Sequence, residues 1–404
     1  MTTLTASPTP ISWPSLAAVP SGLRARLGPQ LSRRLFLAAT RHAGISVGAT
    51  RGHDIVLHRP EEFHARLAAD GLIGFGEAYL TRAWDADDLV GVLTRLCVDI
   101  DALVPAWMQR LRAAYVARPP AHQRSDEHNA RSNIAHHYDL SNDLFELFLD
   151  PTMSYSAGLF EGRERSLEVA QVAKIERILD RAEVGPHTRL LEIGTGWGEL
   201  CIRAARRGAT VVSVTLSQEQ QALARRRIAD EGLSHLVSVE LLDYRSITGT
   251  YDAIVSVEMI EAVGHEFWAT YFTKLDELLA PEGRVAIQAI TMPHARMLAT
   301  RSTYTWINKY IFPGGFLPST EAINEITRDR TSLRVVERYC FGADYAETLR
   351  QWDQRFLAAR DRVLSLGFDE TFIRMWHFYL AYSGAGFASG YLDVQQIVMR
   401  RESR

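Results

Sequence analysis

Three glycines at alternating positions, Gly194, Gly196 and Gly198, stand where an apolar run, Leu190-Leu191-Glu192-Ile193, gives way to a helical pattern over 200–207. A strand that stops at such a turn and opens into a helix brings backbone N–H groups close to a ligand with no Cβ in the way. The chemistry this supports is binding of a nucleotide-like cofactor, with Glu192 beside it. The spacing is GxGxG and not the GxGxxG of dinucleotide sites. No acidic residue closes the next strand pattern, 210–214, where a ribose-binding carboxylate would stand. A nicotinamide cofactor is therefore disfavoured.

Such a turn needs a sheet behind it. From residue 133 onward, strand patterns recur over 189–193, 210–214, 237–241, 253–257, 284–290, 333–338 and 394–399, most of them separated by helical segments. Alternating βα units predict a doubly wound, mostly parallel α/β sheet of Rossmann-like form, with ligands above the carboxyl ends of its strands. The interval 291–321 breaks the rhythm with Tyr304, Trp306, Tyr310, Phe312 and Phe316 in a Gly/Pro-punctuated insert. It serves either as a substrate wall or as simple packing onto the core. Ahead of this domain, 133–404, the sequence predicts a disordered lead-in (1–20), a smaller N-terminal α+β domain (21–116) with a strand over 54–58 and a glycine-rich turn over 71–77, and a linker (117–132).

The 404 residues are 47% hydrophobic and 23% charged, a composition that buries a large core. No apolar run reaches the ~18 residues needed to span a bilayer, and no secretory leader pattern opens the chain, so a cytoplasmic location is expected. Cys97, Cys201 and Cys340 are too few and too scattered for a disulfide framework or a metal site and are expected as buried hydrophobes. The net charge of −3 gives no reason to expect nucleic acid. The charge is uneven, however, because no acidic residue precedes Asp54. Arginines alternate with leucines over 23–40, which describes equally a helix on an anionic membrane surface and an ordinary surface helix.

The wording Glu192-Ile193-Gly194-Thr195-Gly196 resembles motif I of the S-adenosylmethionine (SAM) methyltransferases. Further blocks resemble the cyclopropane-fatty-acyl-phospholipid synthase family. They are 137–143 with 149–156, Val214-Thr215-Leu216-Ser217 with Gln220, Val257-Glu258-Met259-Ile260-Glu261-Ala262-Val263-Gly264, 306–319, Tyr345, 352–356 and 378–382. The likeness runs through nearly all of 70–400, and Gly74-Phe75-Gly76-Glu77-Ala78-Tyr79 resembles the family's membrane-facing N-terminal domain. Within the family, 194–203 and 286–294 resemble the actinobacterial branch that methylates oleoyl chains on the way to 10-methylstearic (tuberculostearic) acid.

The resemblance implies a class I SAM methyltransferase. It puts the cofactor against Tyr155, Ser156, Gly194, Gly196, Thr215, Leu216 and Gln220, with Glu192 at the methionine end, Asp243 and Tyr244 near the adenine, and Tyr138 covering one side. Tyr304, Trp306, Tyr310, Phe316, Tyr379 and Tyr382 are candidate walls of an acyl channel, since aromatic faces exclude water and stabilise cations. An alkene that takes a methyl becomes a cation that must lose a proton. Loss from the new methyl closes a cyclopropane, whereas loss from the neighbouring carbon is expected to give a methylene branch.

In cyclopropane synthases the resemblance implies a bicarbonate base held by a Cys, a Glu, a His, a Tyr and a backbone carbonyl. Glu261 and Tyr345 match the Glu and Tyr, and the carbonyl falls at Ile290. The cysteine position is Ala157, the histidine position is Gln288, and the usual Glu-His is Glu261-Ala262. Bicarbonate would then bind through a reduced donor set that includes the Gln288 amide, or Glu261 or a water would act as base instead.

The expected product is a 10-methylene-stearoyl lipid, saturated afterwards by a separate flavin- or NADPH-dependent reductase. The expected partners are phospholipid, the inner face of the plasma membrane and a second copy of the chain. Ordinary cyclopropanation and a non-catalytic SAM-binding role are the alternatives.

Overall fold

The computed structural model describes residues 13–22, 25, 28–98, 120, 141–162 and 166–402. The chain divides into two compact units. The first draws on 1–119, 302–311 and 349–391; the second on 120–301, 312–348 and 392–404. Relative to a continuous 133–404 domain, two stretches group with the N-terminal segment instead. Both carry aromatics into its core: the Phe378 ring lies 4.7 Å from Trp306, 5.3 Å from Tyr79 and 6.4 Å from Phe75.

In the first unit β1 (Val47–Gly48) pairs in parallel with β2 (Ile55–Leu57), which pairs antiparallel with β3 (Trp84–Asp85). Helix Pro29–His42 buries Ser32, Phe36 and Thr40 and leaves Arg33, Arg34 and Arg41 exposed. Residues 23, 24, 26 and 27 of the predicted basic stripe lie outside the described residues, as does nearly all of the predicted linker.

The glycine-rich segment predicted as a turn is a buried helix, Leu72–Leu80. Its glycines serve close approach, not chain reversal. A Cβ on Gly74 would sit 1.9 Å from the carbonyl oxygen of Arg66 in the preceding helix, Pro60–Asp70, and one on Gly76 would meet the Trp306 ring at 2.5 Å. The same helix carries Glu77, which is buried and receives hydrogen bonds from Lys309 Nζ and, at 2.8 Å, from Tyr310 Oη.

The second unit is built on a seven-stranded sheet. Its strands are β4 (Arg189–Ile193), β5 (Thr210–Thr215), β6 (Val237–Leu241), β7 (Tyr251–Val257), β8 (Leu279–Thr291), β9 (Leu333–Cys340) and β10 (Asp393–Arg401). Their order is β6-β5-β4-β7-β8-β10-β9, with β4 to β8 parallel and β10 antiparallel to both of its neighbours. Strand order reverses between β4 and β7, so the crevice above their carboxyl ends is the place for a ligand.

Side chains alternate across the sheet. Leu190, Val211 and Val255 pack with Ile175, Ile178 and Ile202 on one face; Leu191, Ile193 and Ile254 pack with Tyr271, Phe272 and Leu275 on the other. Serines that accept backbone N–H bonds start the flanking helices, Ser166 before Leu167–Arg181 and Ser217 before Gln218–Asp230. Cys201 is buried as expected, but Cys97 is only half-buried, and Cys340, which ends the edge strand β9, is exposed. Among the described residues no helix is long and apolar enough to cross a membrane.

The approach at Gly74 gives a test of the first unit's packing. Gly74→Ala gains helix propensity but places a methyl against backbone, so a net loss of about 1–3 kcal/mol is expected in denaturant unfolding. Gly22→Ala, where nothing lies within 4 Å of the new Cβ, should stay within about 0.5 kcal/mol.

Candidate active site

The carboxyl ends of β4, β5 and β7 surround a cavity of about 160 Å³ in the second unit. Gly194, Gly196 and Gly198 all have positive φ, at 98°, 53° and 93°, which is the backbone that the turn into helix Glu199–Arg206 demands. Gly194 and Gly196 line the cavity together with Glu192, Tyr155 and Ser156. Thr215, Leu216 and Gln220 line it from the β5 side, and Tyr244 lines it too. Thr215 Oγ1 donates to Gln220 Oε1 at 2.9 Å, fixing that pair.

Nine of the eleven predicted cofactor residues are therefore brought together. Asp243 is not in the lining; its carboxylate is held by Arg245 through two side-chain hydrogen bonds of 2.8 and 2.6 Å. Tyr138 lies outside the described residues. Burial pushes the Glu192 carboxyl up to about 8, although Ser213 Oγ donates to it.

The cavity also contains Glu258, to which the sequence reading assigned no role. It follows β7 with a φ of 50°, unusual for a side chain of this size, and its N–H is tied to the Gln288 carbonyl at 2.8 Å. Its carboxylate accepts three hydrogen bonds: from the Ala157 N–H at 2.9 Å, from Gln288 Nε2 at 2.8 Å and from Tyr345 Oη at 2.6 Å. Tyr345, which the resemblance gives as a bicarbonate ligand alongside Glu261, donates here to Glu258. Gln288 does donate, but to a carboxylate of the chain itself.

Glu261 is nearby yet differently placed. Its Oε1 accepts the Ile290 N–H at 2.6 Å, and its Oε2 is buried with no hydrogen-bond partner among the described residues. Ile290, whose carbonyl the resemblance places at the site, donates its amide to Glu261. Burial and then the charge of Glu258 push Glu261 up to about 8, whereas burial raises Glu258 but its three donors and Lys174 pull it back. The two acids thus differ in environment: Glu258 has three donors and Glu261 a single N–H.

Lys174 is wholly buried and donates to Ser156 Oγ at 2.6 Å; burial lowers it to about 8 against the opposing pull of Glu258 and Asp150. A lysine on the buried face of helix Leu167–Arg181, in a chain with only Lys174, Lys274 and Lys309, was the available signal. For Glu258 it was a second acid three residues before Glu261.

These contacts bear on a bound bicarbonate. The donors that would grip it, the Gln288 amide and the Tyr345 hydroxyl, are already engaged by Glu258, and two buried carboxyl groups would face the anion. The residues do not fit bicarbonate. They do fit SAM: aromatic rings from Tyr155 and Tyr244, apolar Leu216 and Met259, and a carboxyl at Glu192 suit a molecule with an adenine, a sulfonium and an amino-acid end.

None of the predicted channel aromatics lines this cavity. In the first unit Trp306 and Tyr379 are buried, while Tyr382 is 37% exposed and stacks on Phe378 with centroids 6.3 Å apart. Tyr304 is half-buried, and Tyr310 lies 5.2 Å from Trp306. In the second unit Phe316 stacks on Trp268 at 5.7 Å, and its N–H donates to the Glu261 carbonyl at 2.8 Å.

Comparison with known proteins agrees with this geometry. Residues 125–397 match the family model described as mycolic acid cyclopropane synthetase. The chain is 50% identical to the tuberculostearic acid methyltransferase UfaA1 of Mycobacterium tuberculosis, over 96% of this chain and 95% of that one. It is 34% identical to the cyclopropane-fatty-acyl-phospholipid synthase of Escherichia coli, over 89% and 91%. The crystal structure of mycolic acid cyclopropane synthase CmaA1 complexed with SAH and CTAB superposes with a TM-score of 0.63 at 31% identity, covering 67% of this chain and 98% of that one. Sheet order, glycine turn and sequence agree, and the chain belongs to the mycolic acid cyclopropane synthetase family of SAM-dependent methyltransferases.

Proposed function

We propose that this enzyme methylates the double bond of an oleoyl chain on membrane phospholipid, giving the 10-methylene precursor of 10-methylstearic acid, with the Glu258 carboxylate as the base. The observation that carries this reading is the three-donor clamp on Glu258 inside the cofactor cavity. The likeness to a tuberculostearic acid methyltransferase supports the choice of product, and the likeness to a cyclopropane synthase supports cyclopropanation as the second reading.

SAM, when bound, supplies an electrophilic methyl group. Glu192 and the glycine turn hold its amino-acid end, and the buried walls keep water from the cation that forms on the acyl chain. Proton counting corrects one expectation from the sequence. The exocyclic methylene carbon is the transferred methyl itself, so that methyl loses the proton in both products. They differ in whether a hydride moves from C10 to C9 first. Glu258 takes the proton at a carboxylate oxygen, and its negative charge also stabilises the cation before the proton leaves.

The lipid is met at the membrane surface, where the exposed Arg33, Arg34 and Arg41 suit anionic headgroups. A separate flavin- or NADPH-dependent reductase then adds the hydride and proton that saturate the methylene.

Incubation with methyl-labelled SAM and oleoyl phospholipid vesicles, followed by proton NMR of the lipids, should show exocyclic methylene signals. High-field cyclopropane signals alone would replace this reading with the second. Glu258→Gln should lower kcat by about 10²–10⁴-fold, the usual worth of a general base, with SAM affinity changed by less than about threefold. Because the base works ionised, the wild-type rate should rise with pH along an acidic limb lying above the ordinary carboxylate value of 4.5.

A further inference from the structure

Behind Gln288 runs a line of side-chain amides that ends in a guanidinium. Gln288 on β8 and Gln396 on β10 stand directly opposite each other in register, and both are 1% exposed. Gln396 Nε2 donates to Gln288 Oε1 at 3.2 Å and to the Lys174 carbonyl at 3.0 Å. Arg177, on the same helix as Lys174, donates from Nη1 to Gln396 Oε1 at 2.8 Å and from Nη2 to Glu337 Oε1 at 2.9 Å. The Tyr339 ring lies 4.1 Å from its guanidinium carbon.

The two ends of this line dictate the orientation of everything between. A guanidinium can only donate, so Gln396 must turn its oxygen toward Arg177 and its amide nitrogen toward two carbonyl oxygens. Gln288 must then offer its oxygen to Gln396, which leaves its nitrogen for the Glu258 carboxylate and, at 3.4 Å, the Ala157 carbonyl. Reversing either amide sets donor against donor at one junction. With a carboxylate at the far end, the polarity from Arg177 to Glu258 is single-valued.

We propose that Arg177 and Gln396 are positioning residues that lock the Gln288 amide so that it always presents a donor to the catalytic carboxylate of Glu258. The proposal rests on Glu258 being the base. The other charged and titratable groups facing that carboxylate are Lys174, which favours its ionised form, Glu261, which opposes it, and Tyr345, which donates to it. Burial opposes ionisation most, so loss of the Gln288 donor should be felt directly in the proton affinity of Glu258.

The test is the pH dependence of kcat in variants of the full chain. Gln396→Glu keeps shape but can only accept, so Gln288 is expected to turn its nitrogen away and its oxygen toward Glu258. The acidic limb should then move up by about one pH unit, a tenfold lower rate at a fixed pH below it. Arg177→Met, the second variant should the first fail to fold, should move the limb in the same direction, while Arg177→Lys retains a donor and should leave it in place. The SAM dissociation constant should change by less than about threefold throughout. A limb that stays put in both Gln396→Glu and Arg177→Met overturns the positioning role, whatever the loss of rate. In Glu258→Gln the limb should vanish; if it persists there, the base assignment itself falls, and with it this inference.

Discussion

A carboxylate without water must be supplied with donors, and the site is organised around that need. Glu258 is buried, and its three donors come from positions 101, 30 and 87 residues away in sequence. Leaving such a group unpaired would cost several kcal/mol or force it to protonate. The N–H of Ala157, the amide of Gln288 on β8 and the hydroxyl of Tyr345 therefore have to converge, and the sheet order that places β8 beside β7 is what lets them. The left-handed backbone at Glu258 completes the arrangement by turning its side chain back into the cavity.

With Glu258 as the proposed base, the same convergence would separate this chemistry from that of an enzyme that borrows an anion from solution. A base belonging to the chain has a fixed place relative to the cofactor cradle. Its negative charge is favoured by Lys174, while burial and the neighbouring Glu261 oppose it. The pairing of two acids, one with three donors and one with a single N–H, divides their roles by environment and not by residue type. Glu261 carries the family motif, while Glu258 has the hydrogen bonds.

Much of this was legible in the sequence because it is local. The seven strand patterns of the second unit, the positive-φ glycines at 194, 196 and 198, and most of the cavity lining follow from alternation, turn chemistry and motif wording. What was not legible depends on distant partners. Gly74 and Gly76 read as a turn because their reason for being glycine, the Arg66 carbonyl and the Trp306 ring, is non-local. Tyr345 was matched to a family position by motif, and only the fold shows that the carboxylate its hydroxyl reaches is Glu258. Cys340 was expected inside on composition, yet the edge position of β9 leaves it exposed.

If the base is built into the chain, methyl transfer needs no dissolved anion. Methyl transfer to oleoyl phospholipid, measured in buffer stripped of carbon dioxide and again with bicarbonate restored, tests it most directly. The rate should be unchanged, because the Gln288 and Tyr345 donors are already engaged by Glu258. A rate that falls on depletion and recovers on adding bicarbonate would contradict it and return the proton to an external anion.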